Sequence, residues 1–244
     1  MRIAVLFDGG GLARLGLEQA GHECHGFELD PWKHHLSKFV GSGNCTLADA
    51  REVDLSPFEA VWASPPCQVH SIAATQGSPK CQILPGEDYS DGTLLAWSEQ
   101  IQSEILWVEN VDWHNTRHLP IYNAAQFIDP PIQNRSRRIG GRYLQPIVLR
   151  PYRRAVPGIC PTITATEHRG CASDRRRASR FYGRKLTIFE CAWHQGFSIP
   201  EEWLTVPDNW PASAIAWERN LYSSIGNGVP VYMAKAFGDA YGEV

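Results

Sequence analysis

One cysteine of the chain follows two consecutive prolines, in the stretch Ser64-Pro65-Pro66-Cys67, directly after a short apolar run. The two prolines restrict the backbone and stiffen the turn that carries the thiol. A cysteine that only fills space in a core does not need such a turn. A thiol displayed at the end of a strand can act as a nucleophile when its thiolate form is favoured. Cys67 is therefore the candidate nucleophile.

Four carboxylates also lie at or just after the ends of short apolar runs, and these are Asp8, Glu28, Asp49 and Glu109. The composition and spacing predict strands at 3–7, 24–28, 45–47, 61–63 and 105–108, with helices at 12–20 and 31–39 between them. This alternation favours an α/β fold with a mostly parallel, doubly wound sheet. Ligands of such folds bind beyond the carboxyl ends of the strands, where Cys67 and the four carboxylates are expected.

The rest of the chain divides by composition. From Cys67 to Leu94 we predict a long connection without helix or strand, a segment that is often functional in a compact domain. A small second domain is predicted at 145–213, and the main domain then comprises 1–144 and 214–244. In the last part, 226–230 is predicted to be a loop that leads into a helix at 232–241.

The charge distribution indicates a polyanionic partner. The net charge is only −3, but the stretch 133–185 contains 14 lysines and arginines against two acids. The remainder of the chain carries nine basic and 24 acidic residues. Such asymmetry favours nucleic-acid binding over a merely solvated loop. The chain has no apolar run of about 18 residues, so we expect a cytosolic protein that does not span a membrane.

The spacing of the cysteines and the glycine turn limit which metal or cofactor the chain is expected to bind. The seven cysteines include no CxxC pair, so no zinc site is expected and the thiols are expected to be free. After the first predicted strand, Gly9 and Gly11 would let a ligand approach the backbone. Arg14 occupies the position where a dinucleotide fingerprint has glycine or alanine, which disfavours a pyrophosphate ligand. Glu28 could accept hydrogen bonds from both hydroxyls of a ribose, as in either NAD or S-adenosylmethionine.

Several short motifs in order resemble the DNA cytosine-5 methyltransferases over nearly the whole chain, although each motif alone is weak. The matching segments are Phe7-x-Gly9-x-Gly11, Pro65-Pro66-Cys67-Gln68, Glu109-Asn110-Val111, Gln133-x-Arg135-x-Arg137, Leu186-Thr187-x-x-Glu190, Gln195-Gly196-Phe197 and Gly226-Asn227-x-Val229. The resemblance implies a Rossmann-like methyltransferase sheet with helices on both faces, plus a small target-recognition domain.

The resemblance also implies the chemistry. Cys67 would add to C6 of a flipped-out cytosine, which makes C5 nucleophilic toward a methyl group. Glu109 would hold a proton at N3 of the ring. In the family's pattern Arg135 braces this acid, while Arg137 faces the base and contacts its O2.

The implied methyl donor is S-adenosylmethionine, which leaves as S-adenosylhomocysteine. The residues implied to bind it are Phe7, Gly9, Gly11, Glu28, Leu29, Asp49, Pro66, Asn227 and Val229. Glu28 would bind the ribose hydroxyls and Asp49 the adenine amino group.

The implied partner is double-stranded DNA, and the sequence leaves open whether the protein is a monomer or a homodimer. The residues expected to contact nucleic acid are Gln68, Ser71, Arg175, Arg176, Arg177 and Arg180. The chain departs from the family in Asp8, where a small residue is common, and in the short stretch between Arg142 and Leu186. We therefore expect minimal sequence recognition, through a short site or with the help of dimerisation or a partner.

Three other functions compete with this interpretation. A methyltransferase for cytosine in transfer RNA would use the same motifs. A nucleic-acid-binding relative without catalysis is disfavoured by the joint presence of Cys67, Glu109 and Arg137. A nicotinamide oxidoreductase is disfavoured by Arg14 and leaves the later motifs unexplained. The compact size would suit an enzyme of a phage or of a restriction–modification system.

Overall fold

The computed structural model describes residues 1–66, 93–112, 116–147, 149–151, 158–169 and 178–242. Several residues singled out above lie outside these ranges, namely Cys67, Gln68, Ser71, Arg175, Arg176 and Arg177. Arg180 lies in a short helix, but its side chain is outside the described part of the chain. Predictions about these residues therefore stay predictions.

The core of the fold is a seven-stranded sheet in the order β3-β2-β1-β4-β5-β7-β6. The first five strands along the chain pair in parallel, and β7 then pairs antiparallel with both β5 and β6. The strands are β1 (Arg2–Leu6), β2 (Glu23–Glu28), β3 (Cys45–Leu47), β4 (Ala60–Ala63), β5 (Ile105–Val111), β6 (Ile121–Asn123) and β7 (Ser136–Arg142). This mixed α/β sheet confirms the predicted fold class.

The sheet is buried on both faces because the middle positions of its central strands β1, β4 and β5 are mostly apolar and buried. In β1, Ile3 and Val5 pack on one face, while Ala4 and Leu6 pack on the other. This follows from the alternation of side chains along a strand. The helices are α1 (Leu12–Gln19), α2 (Pro31–Ser37), α3 (Thr93–Gln100), α4 (Ala178–Phe181), α5 (Ile188–Gln195), α6 (Ala214–Asn227) and α7 (Val231–Asp239). Residues of α1 and α7 cover the first face, and residues of α3 cover the second.

The predicted elements of the first half are confirmed to within two residues, except the strand at 105–108, and several other elements were missed. The strand expected to end before Glu109 extends to Val111, so the acid lies within β5. The expected loop at 226–230 begins later, because Gly226 and Asn227 are the last two residues of α6. The strands β6 and β7 and the helices α3, α4, α5 and α6 were not predicted. Helix α3 begins at Thr93, inside the connection that was predicted to reach Leu94 without a helix, and the rest of that connection lies outside the described residues.

A second hydrophobic cluster joins the two regions of the predicted domain division. Leu12 of α1 and Leu36 of α2 pack in the same cluster as Leu186, Cys191 and Trp203. The described residues of 145–213 therefore share a hydrophobic core with helices α1 and α2 of the main domain. The division at 145 and 213 stays a prediction.

The strand order reverses direction between β1 and β4, since the chain runs outward to β2 and β3 before it returns to β4. In doubly wound folds such a switch point opens a crevice at the carboxyl ends of the strands. None of the helices in the described ranges has both the length and the apolar character needed to cross a lipid bilayer.

Candidate active site

A cleft opens at this switch point and brings together most of the residues expected to bind ligand. The expected residues that line it are Phe7, Gly9, Glu28, Pro66, Glu109, Arg137, Asn227 and Val229. The cleft is also lined by Asp8, Lys33, Ser64 and Ser224, to which we had assigned no binding role. Lys33 and Ser64 carry no sequence signal of their own, because they belong to the cleft only through the packing of α2 and β4.

Glu28, at the end of β2, holds the glycine turn in position. Its Oε2 accepts a hydrogen bond from Gly9 N at 2.7 Å, and its Oε1 accepts one from Asp30 N at 2.9 Å. Gly9 has φ +61°, a conformation that favours glycine. Burial raises the pKa of Glu28, and the nearby Lys33 ammonium opposes this rise. The carboxylate thus anchors the turn and still lines the cleft.

Asp8 and Arg14 form an ion pair behind the glycine turn. The distance from Arg14 Nε to Asp8 Oδ2 is 3.0 Å, and both side chains are fully buried. The guanidinium also donates to the Ser37 carbonyl at 2.7 Å and to Glu18 Oε1 at 3.1 Å. A side chain on Gly11 would meet this guanidinium, since an added Cβ would lie 2.9 Å from it. Arg14 therefore has a structural reason to stand where a dinucleotide fingerprint has a small residue.

The second buried ion pair joins Glu109 of β5 to Arg137 of β7. Arg137 Nε lies 2.8 Å from Glu109 Oε1, and the two side chains are 8% and 7% exposed. The antiparallel register sets Arg137 opposite Val111, so it is the diagonal neighbour of Glu109 on the same face. Burial raises the pKa of Glu109, although Arg137, Ser64 and Arg135 oppose the rise. The acid is thus biased toward holding a proton at the wall of the cleft.

The resemblance implies that Arg135 holds Glu109 in place by direct contact, and this expectation is wrong. The arginine that forms the ion pair with Glu109 is Arg137. Arg135 precedes β7 and donates instead to backbone carbonyls, at 2.5 Å to Ile163, 2.7 Å to Gly226 and 2.8 Å to Gly228. Its charge also opposes the rise in the pKa of Glu109. Its hydrogen bonds fix the chain on both sides of Asn227, which lines the cleft.

Two glutamines of the quoted motifs support the same turn. Gln133 Nε2 donates to the His194 carbonyl at 2.6 Å and to Gln195 Oε1 at 3.0 Å. Gln195 Nε2 in turn donates to the Ile225 carbonyl at 2.6 Å. Both glutamine side chains are fully buried. The segment before β7, helix α5 and the end of α6 are therefore tied together behind the cleft.

The turn that leads to Cys67 is fixed as far as Pro66. Asn110 Nδ2 donates to the Pro65 carbonyl at 3.1 Å, which joins the end of β5 to the residues after β4. The indole of Trp62 donates to Ser64 Oγ at 2.8 Å. Ser64, Pro65 and Pro66 all line the cleft beside Glu109. The residue that follows them in the chain is Cys67.

Three residues expected to bind cofactor do not line the cleft among the described residues. Gly11 caps the start of α1, and Leu29 is 38% exposed. The carboxylate of Asp49 is hydrogen-bonded by Arg51, with Nε to Oδ1 at 3.0 Å, and this contact lowers the pKa of Asp49. Their roles as cofactor contacts remain predictions. Within the described ranges, no three His, Cys, Asp or Glu side chains are grouped as a metal site.

Comparisons with known proteins support the fold. No family model and no curated protein matches the chain in sequence. Among solved structures, a methyltransferase of Entamoeba histolytica, EhMeth, is similar with a TM-score of 0.58 at 11% identity, covering 98% of this chain and 97% of that one. The Dnmt2 methyltransferase of S. pombe is similar with a TM-score of 0.55 at 14% identity, covering 97% and 96%.

A third similar structure, described as a DNA modification methyltransferase encoded within an E. coli prophage, has a TM-score of 0.57 at 13% identity and covers 99% of this chain and 98% of that one. At these identities the likenesses show the fold. The described residues of the chain therefore have the Rossmann-like α/β fold of these methyltransferases.

Proposed function

We propose that this protein transfers a methyl group from S-adenosylmethionine to carbon 5 of a cytosine in DNA. The observation that carries the proposal is the buried Glu109–Arg137 ion pair, which lines one cleft together with Pro66, the residue before Cys67. An acid with a raised pKa, a guanidinium in contact with it and the thiol of the residue that follows Pro66 in the sequence match the needs of a covalent addition to a pyrimidine.

The residues of the cleft fit the proposed cofactor. Gly9 and Gly10 leave the first turn without side chains, so that a ligand can lie against the backbone. Glu28 retains lone pairs for ribose hydroxyls in addition to those that accept from Gly9 and Asp30. Phe7, Pro66, Asn227 and Val229 would form the surrounding wall, with Gly11, Leu29 and Asp49 as further predicted contacts. When bound, the cofactor supplies an electrophilic methyl group.

The protein side chains are proposed to act on the cytosine ring. The Cys67 thiolate adds to C6, and the electron pair of the C5–C6 double bond becomes available at C5 for the methyl group. Glu109 shares a proton with N3, which neutralises the charge that develops there, and Arg137 donates to the O2 atom. After methylation a base removes the proton from C5, the double bond reforms and the Cys67 sulfur leaves as thiolate. The identity of that base is open.

Nucleic-acid binding is the second part of the proposal. A cytosine within a duplex cannot reach a cleft of this kind, so it must be rotated out of the stack. The excess of basic residues in 133–185 supports phosphate binding, which would weaken steeply with salt. Gln68 and Ser71 beside the flipped base, and Arg175, Arg176, Arg177 and Arg180 at phosphates, remain the predicted contacts.

The test uses duplex DNA that contains 5-fluorocytosine together with S-adenosylmethionine. Fluorine at C5 cannot be removed as a proton would be, so the sulfur–C6 bond persists and a covalent complex is expected on a denaturing gel. Cys67→Ser should abolish the complex, whereas Cys191→Ser, in a buried cysteine of α5, should retain it.

A transfer RNA transcript with the same modified base forms the second arm of the test. A complex with RNA and none with DNA would replace the proposed substrate by RNA. The absence of a complex on both nucleic acids would contradict the covalent mechanism.

A further inference from the structure

Ser64, which follows β4 and lines the cleft, lies beside Glu109 of the neighbouring strand. The parallel register of β4 and β5 pairs Trp62 with Trp107, and the two rings lie on one face with their centroids 6.0 Å apart. Ser64 and Glu109 each come two residues after these tryptophans, so their side chains project to the same face. The backbone of Ser64 continues the sheet, because its N–H donates to the Leu6 carbonyl at 3.3 Å.

The hydroxyl of Ser64 is held between two groups. The indole Nε1 of Trp62 donates to Ser64 Oγ at 2.8 Å, and Trp62 itself is fully buried. An indole N–H can only donate, so the hydrogen of the hydroxyl is left for a different acceptor. That acceptor is the Glu109 carboxylate, since burial raises the pKa of Glu109 and a hydrogen bond from Ser64 opposes the rise.

Glu109 is therefore contacted from both of the strands that flank β5. Arg137 of β7 lies 2.8 Å from Oε1 on one side, and Ser64 reaches the carboxylate from the β4 side. Among the described residues, Arg137 and Arg135 are the charged side chains that act most on Glu109. Contacts from opposite sides restrict the rotation of the carboxyl group at the wall of the cleft.

We propose that Ser64, directed by the indole of Trp62, is a positioning residue that holds the Glu109 carboxyl at the wall of the cleft. This inference rests on the proposed function, in which Glu109 shares a proton with N3 of the cytosine ring. A carboxyl that is already oriented does not have to be rearranged when the ring enters, which favours the proton transfer. Trp62 acts one step further back, because it packs in the core and donates to Ser64.

The first experiment follows the Glu109 carboxyl by carbon-13 NMR as a function of pH, on the full chain without cofactor or nucleic acid. Glu109→Gln identifies the signal. In Ser64→Ala the pKa of Glu109 should rise further, because a hydrogen bond that favours the ionised form is lost. The midpoint of the titration should move upward by about half to one pH unit. Ser64→Thr retains the hydroxyl and should restore most of the wild-type midpoint.

Ser103→Ala is the matched control at the other end of β5. Its hydroxyl donates to the Ile105 carbonyl at 2.9 Å, so the change also removes one serine hydrogen bond beside the same strand. It should leave the titration of Glu109 unchanged. Trp62→Phe keeps an aromatic ring in the core without the indole donor, and it should move the midpoint less than Ser64→Ala does. Thermal unfolding checks each variant, and Ser64→Ala with Ser64→Thr carries the test if Trp62→Phe does not fold.

The second readout is single-turnover methyl transfer to duplex DNA at several pH values. Below the midpoints of both proteins, the rate constant of Ser64→Ala should be about three- to tenfold lower than that of the wild type, because the acid is no longer held. The pH above which the rate declines should move upward with the titration of Glu109, since the reaction needs the protonated acid. A role of Ser64 in folding alone would move neither pH value.

The outcomes distinguish the inference from the function on which it rests. An unchanged titration of Glu109 in Ser64→Ala, or an equal shift in Ser103→Ala, would overturn the role of Ser64 and leave the proposed function intact. A shifted titration with an unchanged rate constant and pH profile would also overturn it, because the contact would then not serve the reaction. A shifted titration in a chain that methylates neither DNA nor RNA would support the contact and contradict the proposed function.

Discussion

Two buried carboxylate–arginine pairs among the described residues, Asp8–Arg14 and Glu109–Arg137, differ in how many hydrogen-bond partners the arginine has. Arg14 has no exposed surface and donates to Asp8, Glu18, Ser37 and Ser42. Arg137 contacts Glu109 and donates to the carbonyl of its own neighbour Ser136 at 3.0 Å, and it lines the cleft. The first pair is surrounded by partners of its own, whereas the second faces the space that a ligand would enter.

The difference shows how one kind of ion pair can serve two purposes. A buried guanidinium with all its donors engaged stabilises the position of the elements around it, here α1, α2 and the glycine turn. A guanidinium that faces a cleft can instead donate to a ligand when one arrives. Burial alone therefore does not identify the reactive pair, since Asp8–Arg14 is the more deeply buried of the two.

The largest expected effect tests the structural pair. Arg14→Met should lower the free energy of unfolding by about 3–5 kcal/mol, because it leaves Asp8 buried without its counter-charge. Lys235→Met is the control, since Lys235 and its partner Asp239 are both largely exposed and loss of this pair should cost under about 1 kcal/mol. Urea denaturation of both variants measures the difference. Equal losses of unfolding free energy in the two variants would contradict the distinction between the fully buried ion pair and the exposed one.

A smaller effect separates the two arginines around β7. A double-mutant cycle of Glu109→Gln with Arg137→Met should give a coupling energy of about 1–3 kcal/mol, because the two groups are in contact. The matched cycle with Arg135→Met should give less than about 1 kcal/mol, since Arg135 binds backbone carbonyls instead. The cycles are measured on unfolding free energies. A larger coupling energy between Glu109 and Arg135 than between Glu109 and Arg137 would instead support the direct Glu109–Arg135 contact that the motif pattern implies.

The smallest effect is a dependence on pH. Burial raises the pKa of Glu109 in the folded state above its ordinary value of 4.5, so the unfolded chain loses this proton first as the pH rises. The stability of the wild type relative to Glu109→Gln should therefore be highest below about pH 4.5. Above that value it should fall with a slope of at most about 1.4 kcal/mol per pH unit.

Denaturation of both proteins at several pH values from 4 to 8 tests this prediction. A difference in stability that rises with pH would mean that Arg137 outweighs burial and keeps Glu109 ionised. That result would also remove the support for Glu109 as a proton donor to the ring.

The sequence predicted the parallel half of the sheet well because most of its strands are short stretches rich in apolar residues, with a chemically distinctive residue at or near the end. It did not predict β7, since Ser136–Arg142 contains three arginines and two glycines and has no apolar alternation. Only pairing with β5 makes this segment a strand. By contrast, the sequence did contain a signal for α6, because Trp217, Leu221 and Ile225 recur every four residues after the capping Ser213.

The predictions of site residues were likewise accurate where position along an element decides the location, and inaccurate where contacts between residues decide it. Residues at or next to the ends of parallel strands or helices, such as Phe7, Glu28 and Asn227, do line the cleft. Asp49 follows a strand too, but its carboxylate is hydrogen-bonded to Arg51, two residues away, a local contact that strand position does not indicate. Lys33 and Ser64 reach the cleft through the packing of elements whose orientation the sequence does not specify.

The sequence by itself determined the order of the elements and the residues that can do chemistry at the strand ends. It identified Glu109 as an acid and the nearby arginines as its candidate partners. The tertiary structure decided which arginine meets it, because β7 runs antiparallel beside β5 with Val111 opposite Arg137. That register sets Arg137 diagonally next to Glu109, whereas Arg135 precedes the strand and turns to the carbonyls around Asn227. The choice depends on pairing across the sheet, which no local pattern in either segment encodes.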